Sequence, residues 1–416
     1  MVLTKKSLVA LAPFFILIPY LGNKDLNNFI IGFGFLFFSA LSFCVLSSFS
    51  SIDKIIKNLL IIFLVQFCFI SFSILQSSLF LGIIFTANDL VEVIRPLLNV
   101  FIILPIYYFY ERSGYFKSIK YLKNWIIAFT IFNFILSVVS KFDLTILKPL
   151  VESYAEGPIY SFGYSKFRAF GLIGQPGKNA IFCNLLVLAL IYLNKINKSK
   201  IILGFIILNG MSIILTLSRV GLLIYIFIIS INYINFNTIK KYFLSILIIV
   251  IGLAYFLYYL SLDFFDFNLL LRGIDDGGSK LGTLGKRLYL KQWSFDVISQ
   301  NINSLLFGVG PCKDYLASLT TTFADDLTLR HPDSSFTLWM LRYGFIGLVL
   351  FYLPHIKMLF SKRKFLIQTV AIILVISNLD PPYNEPKTQV LYWLIILFLL
   401  KFENLKKQSF KIYNNE

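Results

Sequence analysis

Residues 200–235 read KIILGFIILNGMSIILTLSRVGLLIYIFIISINYIN. Two apolar runs, Ile201–Leu217 and Val220–Asn235, are parted only by Ser218 and Arg219, and each approaches the roughly 20 apolar residues that cross a bilayer core as a helix. The pattern recurs along the chain. A hydropathy scan adds Ser7–Gly22, Phe29–Leu46, Leu59–Leu75, Leu90–Tyr110, Trp125–Ser140, Ala180–Leu193, Phe243–Leu260, Ser335–Pro354, Phe365–Leu379 and Val390–Leu400. The reading is an all-α integral membrane protein of about twelve transmembrane helices, one polytopic domain over residues 1–416. Ala180–Leu193 and Val390–Leu400 are short, so they are expected to extend into their flanks or to sit in a thinned bilayer.

Composition excludes an ordinary soluble enzyme. Of 416 residues, 57% are hydrophobic and 14% charged, against about 45–50% and about 25% in soluble domains. The net charge of +17 would suit a nucleic-acid binder if it lay on a soluble face. Sorted along alternating spans, it does not. The side holding both termini carries 21 Lys and Arg, from Lys5 and Lys6 to Lys406, Lys407 and Lys411, against the four acids Asp53, Glu111, Glu403 and Glu416. The remainder is balanced at 17 basic and 17 acidic. The positive-inside rule then makes the termini cytoplasmic, and no nucleic-acid partner is expected. Lys5 and Lys6 precede an apolar run without a small-residue cleavage site, which reads as an uncleaved first span. No lipidation signal is visible.

Two long segments fall on the outer face: residues 141–179, a first large periplasmic loop, and 261–334, a second. Polar loops of this size are uncommon unless functional. The first ends in Arg168-Ala169-Phe170-Gly171-Leu172-Ile173-Gly174-Gln175-Pro176-Gly177-Lys178-Asn179-Ala180, a Gly/Pro turn that delivers Arg168 to the bilayer surface, while Lys178 suits interfacial snorkelling. In Thr216-Leu217-Ser218-Arg219-Val220-Gly221, Ser218 can cap the following helix. Arg219 would then sit at a helix N-terminus, where a cation is unfavourable unless an anion shares the site, and a phosphate would resolve that conflict.

In the second loop, Leu290, Trp293, Val297 and Ile298 follow helical spacing while Arg287 and Lys291 share another face, an amphipathic helix expected to lie on the membrane surface. His331 is the one outer histidine, and its side chain suits proton transfer near neutral pH. His355 is expected at the cytoplasmic end of its span as an interface residue. Glu92 and Arg95, three apart within one span, can neutralise each other. Asp275, Asp276, Asp325 and Asp326 read as solvated loop tips. Cys44, Cys68, Cys183 and Cys312 form neither a disulfide framework nor a metal set, and neither a metal nor a cofactor is expected.

Together these segments resemble the O-antigen polymerases and O-antigen ligases. The resemblance runs from about Arg168 to Gly347: the Arg-x-x-Gly turn with Pro176 and Ala180, Ser218-Arg219-x-Gly221, Arg287 with Trp293, Gly308-x-Gly310-Pro311, and His331 followed by Tyr343-Gly344-x-x-Gly347. Two departures stand out. Gly177-Lys178 separates Pro176 from Asn179, where the family has Pro-Asn, and Pro332 follows the histidine in place of Asn, which makes Asp333 the candidate to orient His331.

The resemblance implies a GT-C-like glycosyltransferase of the bacterial inner membrane with a periplasmic active site and an undecaprenyl-pyrophosphate-linked oligosaccharide donor, working without metal. It implies Arg168, Arg219 and His331 as catalytic residues, and Arg287, Lys291, Arg95 and Asp333 as substrate-binding residues. Arginines would neutralise the leaving pyrophosphate and His331 would act as base. A polymerase that joins repeat units is favoured, with a ligase acting on lipid A core as the alternative and a lipid-linked oligosaccharide flippase third, because the notable charges collect at the outer face and not the midplane. Membrane lipid and a chain-length regulator protein are the further partners expected.

Overall fold

The computed structural model describes residues 4–20, 26–49, 52–83, 87–142, 147–155, 168–233, 292–311, 335–361, 363–377 and 385–403. Described residues form helices and connecting turns, with no strand among them. They are α1 (Lys5–Val9), a 3₁₀ segment Ala12–Leu17, α2 (Leu26–Leu46), α3 (Lys54–Leu81), α4 (Ala87–Phe142), α5 (Lys148–Tyr154), a 3₁₀ turn Gly171–Ile173, α6 (Pro176–Ile196), α7 (Lys200–Leu215), α8 (Arg219–Tyr233), α9 (292–299), α10 (Ile302–Phe307), α11 (Ser335–Leu359), α12 (Lys364–Ser377) and α13 (Pro386–Phe402).

Four helical stretches, Lys54–Phe80, Val91–Phe142, Pro176–Ile196 and Phe336–Leu359, are long and apolar enough to cross a membrane among the described residues, and Ile30–Leu46, Lys200–Leu215, Arg219–Tyr233 and Lys364–Leu374 are shorter apolar helices. Large apolar side chains such as Leu36, Phe43, Leu79, Phe116, Ile201, Leu223 and Phe227 are exposed on them. A perimeter of this kind would aggregate in water and is at home in lipid. The protein is an α-helical, membrane-embedded one.

The expectation of about twelve continuous spans is revised at its first run. The first run is not one helix: α1 stops at Val9, and Ala12–Leu17 continues as 3₁₀ with Pro13 in its first turn and extended backbone at Ile18. Pro13 and Pro19 lack the N–H that an α-helix needs there. Leu90–Tyr110 and Trp125–Ser140 belong to one helical tract, α4, interrupted by non-helical Gly114 (φ 68°, ψ 174°). Across that break the rings of Phe109 and Tyr121 lie 4.1 Å apart, whereas a straight helix would set them about 18 Å apart, so the tract folds back as a hairpin. The span expected at 243–260 lies outside the described residues.

The two short runs do extend into their flanks, becoming α6 and α13. Both are buried on every side, Asn179 to Asn194 and Pro386 to Leu400 without a gap. An all-round buried helix is the core of a bundle, and α4, α7, α8, α12 and the 3₁₀ segments pack around these two. A polar seam runs through the packing. Asn209 Nδ2 donates to Thr130 Oγ1 at 2.9 Å, Asn133 Nδ2 lies 3.1 Å from Cys183 Sγ, and Asn179 Nδ2 donates to Ser137 Oγ at 3.3 Å. Such bonds join helices where water exclusion gives no driving force.

The chain ends of successive helices sort into two sets. Lys5 meets Ser48, Lys6 donates to the Arg112 carbonyl and Arg112 to the Ser48 carbonyl, Lys401 bridges Glu111 and Asp53, and Glu403 accepts the N–H groups of Phe365 and Leu366. The lysines, arginine and acids of that network all belong to the set that the charge count put on one side. At the other end lie Tyr20, Tyr154, Leu172, Thr216, Glu385 and Lys387, and there the candidate site forms.

Candidate functional site

Helix α7 ends at Leu215, and the chain turns through Thr216, Leu217 and Ser218 before α8 starts at Arg219. Leu217 takes φ 51°, a left-handed conformation that costs a non-glycine residue on the order of 1–3 kcal/mol. Ser218 caps α8 as expected, its Oγ accepting the Gly221 N–H at 3.2 Å. Gly221 is where α8 touches α6: a Cβ there would come within 2.5 Å of Ala180 Cβ, and its carbonyl accepts from Asn184 Nδ2 at 2.9 Å. The glycine of the Ser218-Arg219-x-Gly221 sequence is thus a packing residue that presses the start of α8 onto α6.

The turn after the first long loop docks onto this junction. Arg168 Nε donates to the Thr216 carbonyl at 2.9 Å and the Ala169 N–H to the Leu215 carbonyl at 3.0 Å. A guanidinium on the last carbonyls of a helix matches the negative end of its dipole. Arg219 has the opposite situation, at the positive end of α8. Both arginines are half-buried, so the fold gathers two candidate anion-binding residues from separate motifs onto one interhelical turn. Lys178 lies in the first turn of α6, also half-buried.

The 168–175 turn is held from two further directions. The Leu172 N–H donates to Asn133 Oδ1 at 2.8 Å, and its carbonyl accepts from Lys387 Nζ at 2.9 Å. Gly171 (φ 50°) lies directly on Asn133 and Asn179, where a Cβ would fall 2.3 Å from Asn133 Oδ1. Lys387 and Glu385 were not singled out in the sequence. An oppositely charged pair immediately before an apolar run was the available signal, hidden because both residues sat outside the span as scanned.

The later glycine motifs also meet. Gly308 (φ 75°) and Gly344 (φ 63°) pack backbone to backbone: a Cβ on Gly308 would lie 2.3 Å from the Arg342 carbonyl carbon, and one on Gly344 2.4 Å from that of Leu306. The Val309 and Gly310 N–H groups donate to the carbonyls of Leu341 and Arg342 at 3.0 and 2.8 Å. Gly344 breaks α11 so that the segment can join it. The apolar face of α9 is spent in the same place, with Trp293 and Ile298 in a buried cluster with Val309, Met340 and Leu341. Protein therefore covers Trp293 and Ile298, while Leu290 and the expected polar face with Arg287 and Lys291 lie outside the described residues.

Arg342, held by this docking, reaches Glu92 at 3.5 Å, and Arg95 pairs with the same carboxylate oxygen at 2.9 Å. The mutual neutralisation expected for Glu92 and Arg95 is present, and Arg342, which the sequence reading passed over inside an apolar run, makes it a triad. Beside it is a cavity of about 30 Å³ lined by Glu92, Arg95, Asn99, Gln66, His355 and Gln389 among others, room for a water or two and too small for a sugar. His355 is buried there, Nδ1 3.3 Å from the Phe351 carbonyl and its ring stacked on Tyr392. It is a core histidine between helices.

Arg287, Lys291, His331 and Asp333, and with them the Asp275–Asp276 and Asp325–Asp326 pairs, lie outside the described residues. The structure therefore brings together Arg168 and Arg219 from the expected site and places Arg95 in the separate buried triad.

No curated protein matches the chain. Residues 203–352, which run from α7 through Arg219 to the Gly344 break, match the family model described as O-antigen ligase, and over this stretch the chain is similar to that family, in agreement with the resemblance carried by its motifs.

Proposed function

We propose that the protein is an O-antigen polymerase of the inner membrane, with the Arg168–Arg219 turn on the periplasmic face. The observation that carries the reading is the docking of Arg168 on Thr216, three residues before Arg219, which concentrates fixed positive charge at the N-terminus of α8. A pyrophosphate seated there would satisfy the helix end and remove the conflict of Arg219 with the dipole.

In the proposed reaction the bond from the anomeric carbon to the undecaprenyl pyrophosphate breaks as the acceptor hydroxyl of a second lipid-linked repeat unit bonds to that carbon. The hydroxyl proton passes to His331, and negative charge grows on the departing pyrophosphate. Arg168 and Arg219 supply always-charged bidentate donors to that charge, in surroundings where preorganised charge is worth more than in water. Arg287 and Lys291 would extend the anion site, and Asp333 would orient His331. The chemistry needs no metal on this reading.

A ligase delivering the same donor to lipid A core is the second reading, favoured by the description of the matching family model. Purified full-length protein given lipid-linked repeat units alone, with chelator present, tests the first. Polymer of more than one unit supports the polymerase; transfer only when lipid A core is added would replace it with the ligase, and loss of transfer on chelation would remove the metal-free mechanism.

A further inference from the structure

Leu172 has both backbone polar groups taken by side chains from distant helices, its N–H by Asn133 of α4 and its carbonyl by Lys387 of α13. Lys387 is 0% exposed. Its ammonium lies 3.9 Å from the centroid of the Tyr20 ring and 5.1 Å from that of Tyr154. Glu385, two residues earlier, caps α13 by accepting the Lys387 N–H at 3.2 Å and also takes the Tyr20 hydroxyl.

A buried ammonium in an apolar bundle is expensive, and a well-packed apolar residue of the same length would usually stabilise the core as well or better. Stability alone is a poor reason for a lysine here. What the ammonium reaches is the turn that presents Arg168. That turn is tied to α7 at its start, through Arg168 and Ala169, to α4 through Asn133, and to α13 through Lys387.

We propose that Lys387 is a positioning residue, which fixes the 168–175 turn to the central helix α13 and thereby holds Arg168 in register with Arg219. The inference rests on the transferase reading for its consequence in catalysis, but its mechanical part stands without it. Lys387 touches no reacting atom. It acts on the register of the anion site, where a shift of about 1 Å costs roughly a hundredfold in rate.

The test uses the full-length protein with its cysteines replaced and Gln175→Cys introduced, since Gln175 is half-buried in the same turn. The neutral double variant Glu385→Gln/Lys387→Met removes the ammonium without stranding a carboxylate, and Lys387→Gln is the milder second variant should the first fold poorly. The first readout is the rate at which a membrane-impermeant maleimide reacts with the Gln175→Cys thiol. The second is transfer of lipid-linked repeat units, measured with Arg168 present and in an Arg168→Ala background.

Labelling should quicken several-fold in both variants. Transfer should fall about 100-fold with Arg168 present and stay within about threefold in the Arg168→Ala background, because residues acting as one unit are not additive. Unchanged labelling, or an equal loss in both backgrounds, would overturn the proposal. Parent protein that transfers no glycan would sink the transferase reading instead, and the labelling rates would still decide whether Lys387 holds the turn.

Discussion

Arg168 and Arg219 come from separate motifs about 50 residues apart in the sequence, yet Arg168 hydrogen-bonds the carbonyl of Thr216 at 2.9 Å and so shares the turn from which Arg219 launches α8. The two are expected to serve one anion. Arg168→Ala and Arg219→Ala should each lower kcat/KM by about 10²–10³-fold, the range for losing one charge-stabilising donor. The double variant should lose much less than the product of the two. Arg219→Lys should recover little, since a point charge does not replace a planar fork. Steady-state transfer by the four proteins settles it; fully multiplicative losses would mean two separate sites.

The contact of Gly221 with Ala180 makes a stability prediction that is independent of chemistry. A methyl group on Gly221 would lie 2.5 Å from Ala180 Cβ, so Gly221→Ala should destabilise by about 1–3 kcal/mol through overpacking. Ala180→Gly in the same chain should return most of the loss by vacating the space. Thermal unfolding in detergent measures both, and a failure of the second substitution to compensate would show that the helices do not cross at this pair.

Much of this arrangement could be read from sequence because it depends on apolar run length and on glycine. The runs gave helices α2, α3, α6, α7, α8 and α11 close to where they lie, and the capping role of Ser218 follows from its place before an apolar run. Other features were hidden for physical reasons. The break after Val9 depends on how two prolines are used, and a hydropathy scan weighs them hardly at all. Helix α13 begins with Pro386, Lys387, Thr388 and Gln389, four residues that look like loop yet are buried, the Lys387 ammonium on the Leu172 carbonyl of a turn more than 200 residues earlier in the chain. Arg342 looks like an isolated charge in a span until Glu92, some 250 residues earlier in the chain, is folded against it.

The backbone contact between Gly308 and Gly344 predicts that neither accepts a side chain. Both have positive φ and both would drive a Cβ into backbone 2.3–2.4 Å away, so Gly308→Ala and Gly344→Ala should each destabilise by about 2 kcal/mol or more, from strain plus displaced backbone. The contact also anchors the segment that follows α9 to α11, so limited proteolysis should cut residues 292–311 sooner in either variant. Equal cleavage rates in parent and variants would contradict the docking.

The triad of Arg95, Glu92 and Arg342 predicts an order of severity. Glu92→Gln removes the carboxylate that buried Arg342 and half-buried Arg95 share and should cost about 3–5 kcal/mol, the usual effect of removing one member from a buried ion pair. Arg342→Met leaves Glu92 paired with Arg95 at 2.9 Å and fills the space with apolar volume, so it should cost under about 2 kcal/mol or be neutral. Melting temperatures of the two variants test the order. If Glu92→Gln folds like the parent while its transfer rate collapses, the carboxylate has a role in the reaction beyond holding its two arginines. If the reverse order is found, Arg342 and not Glu92 is the residue on which the triad depends.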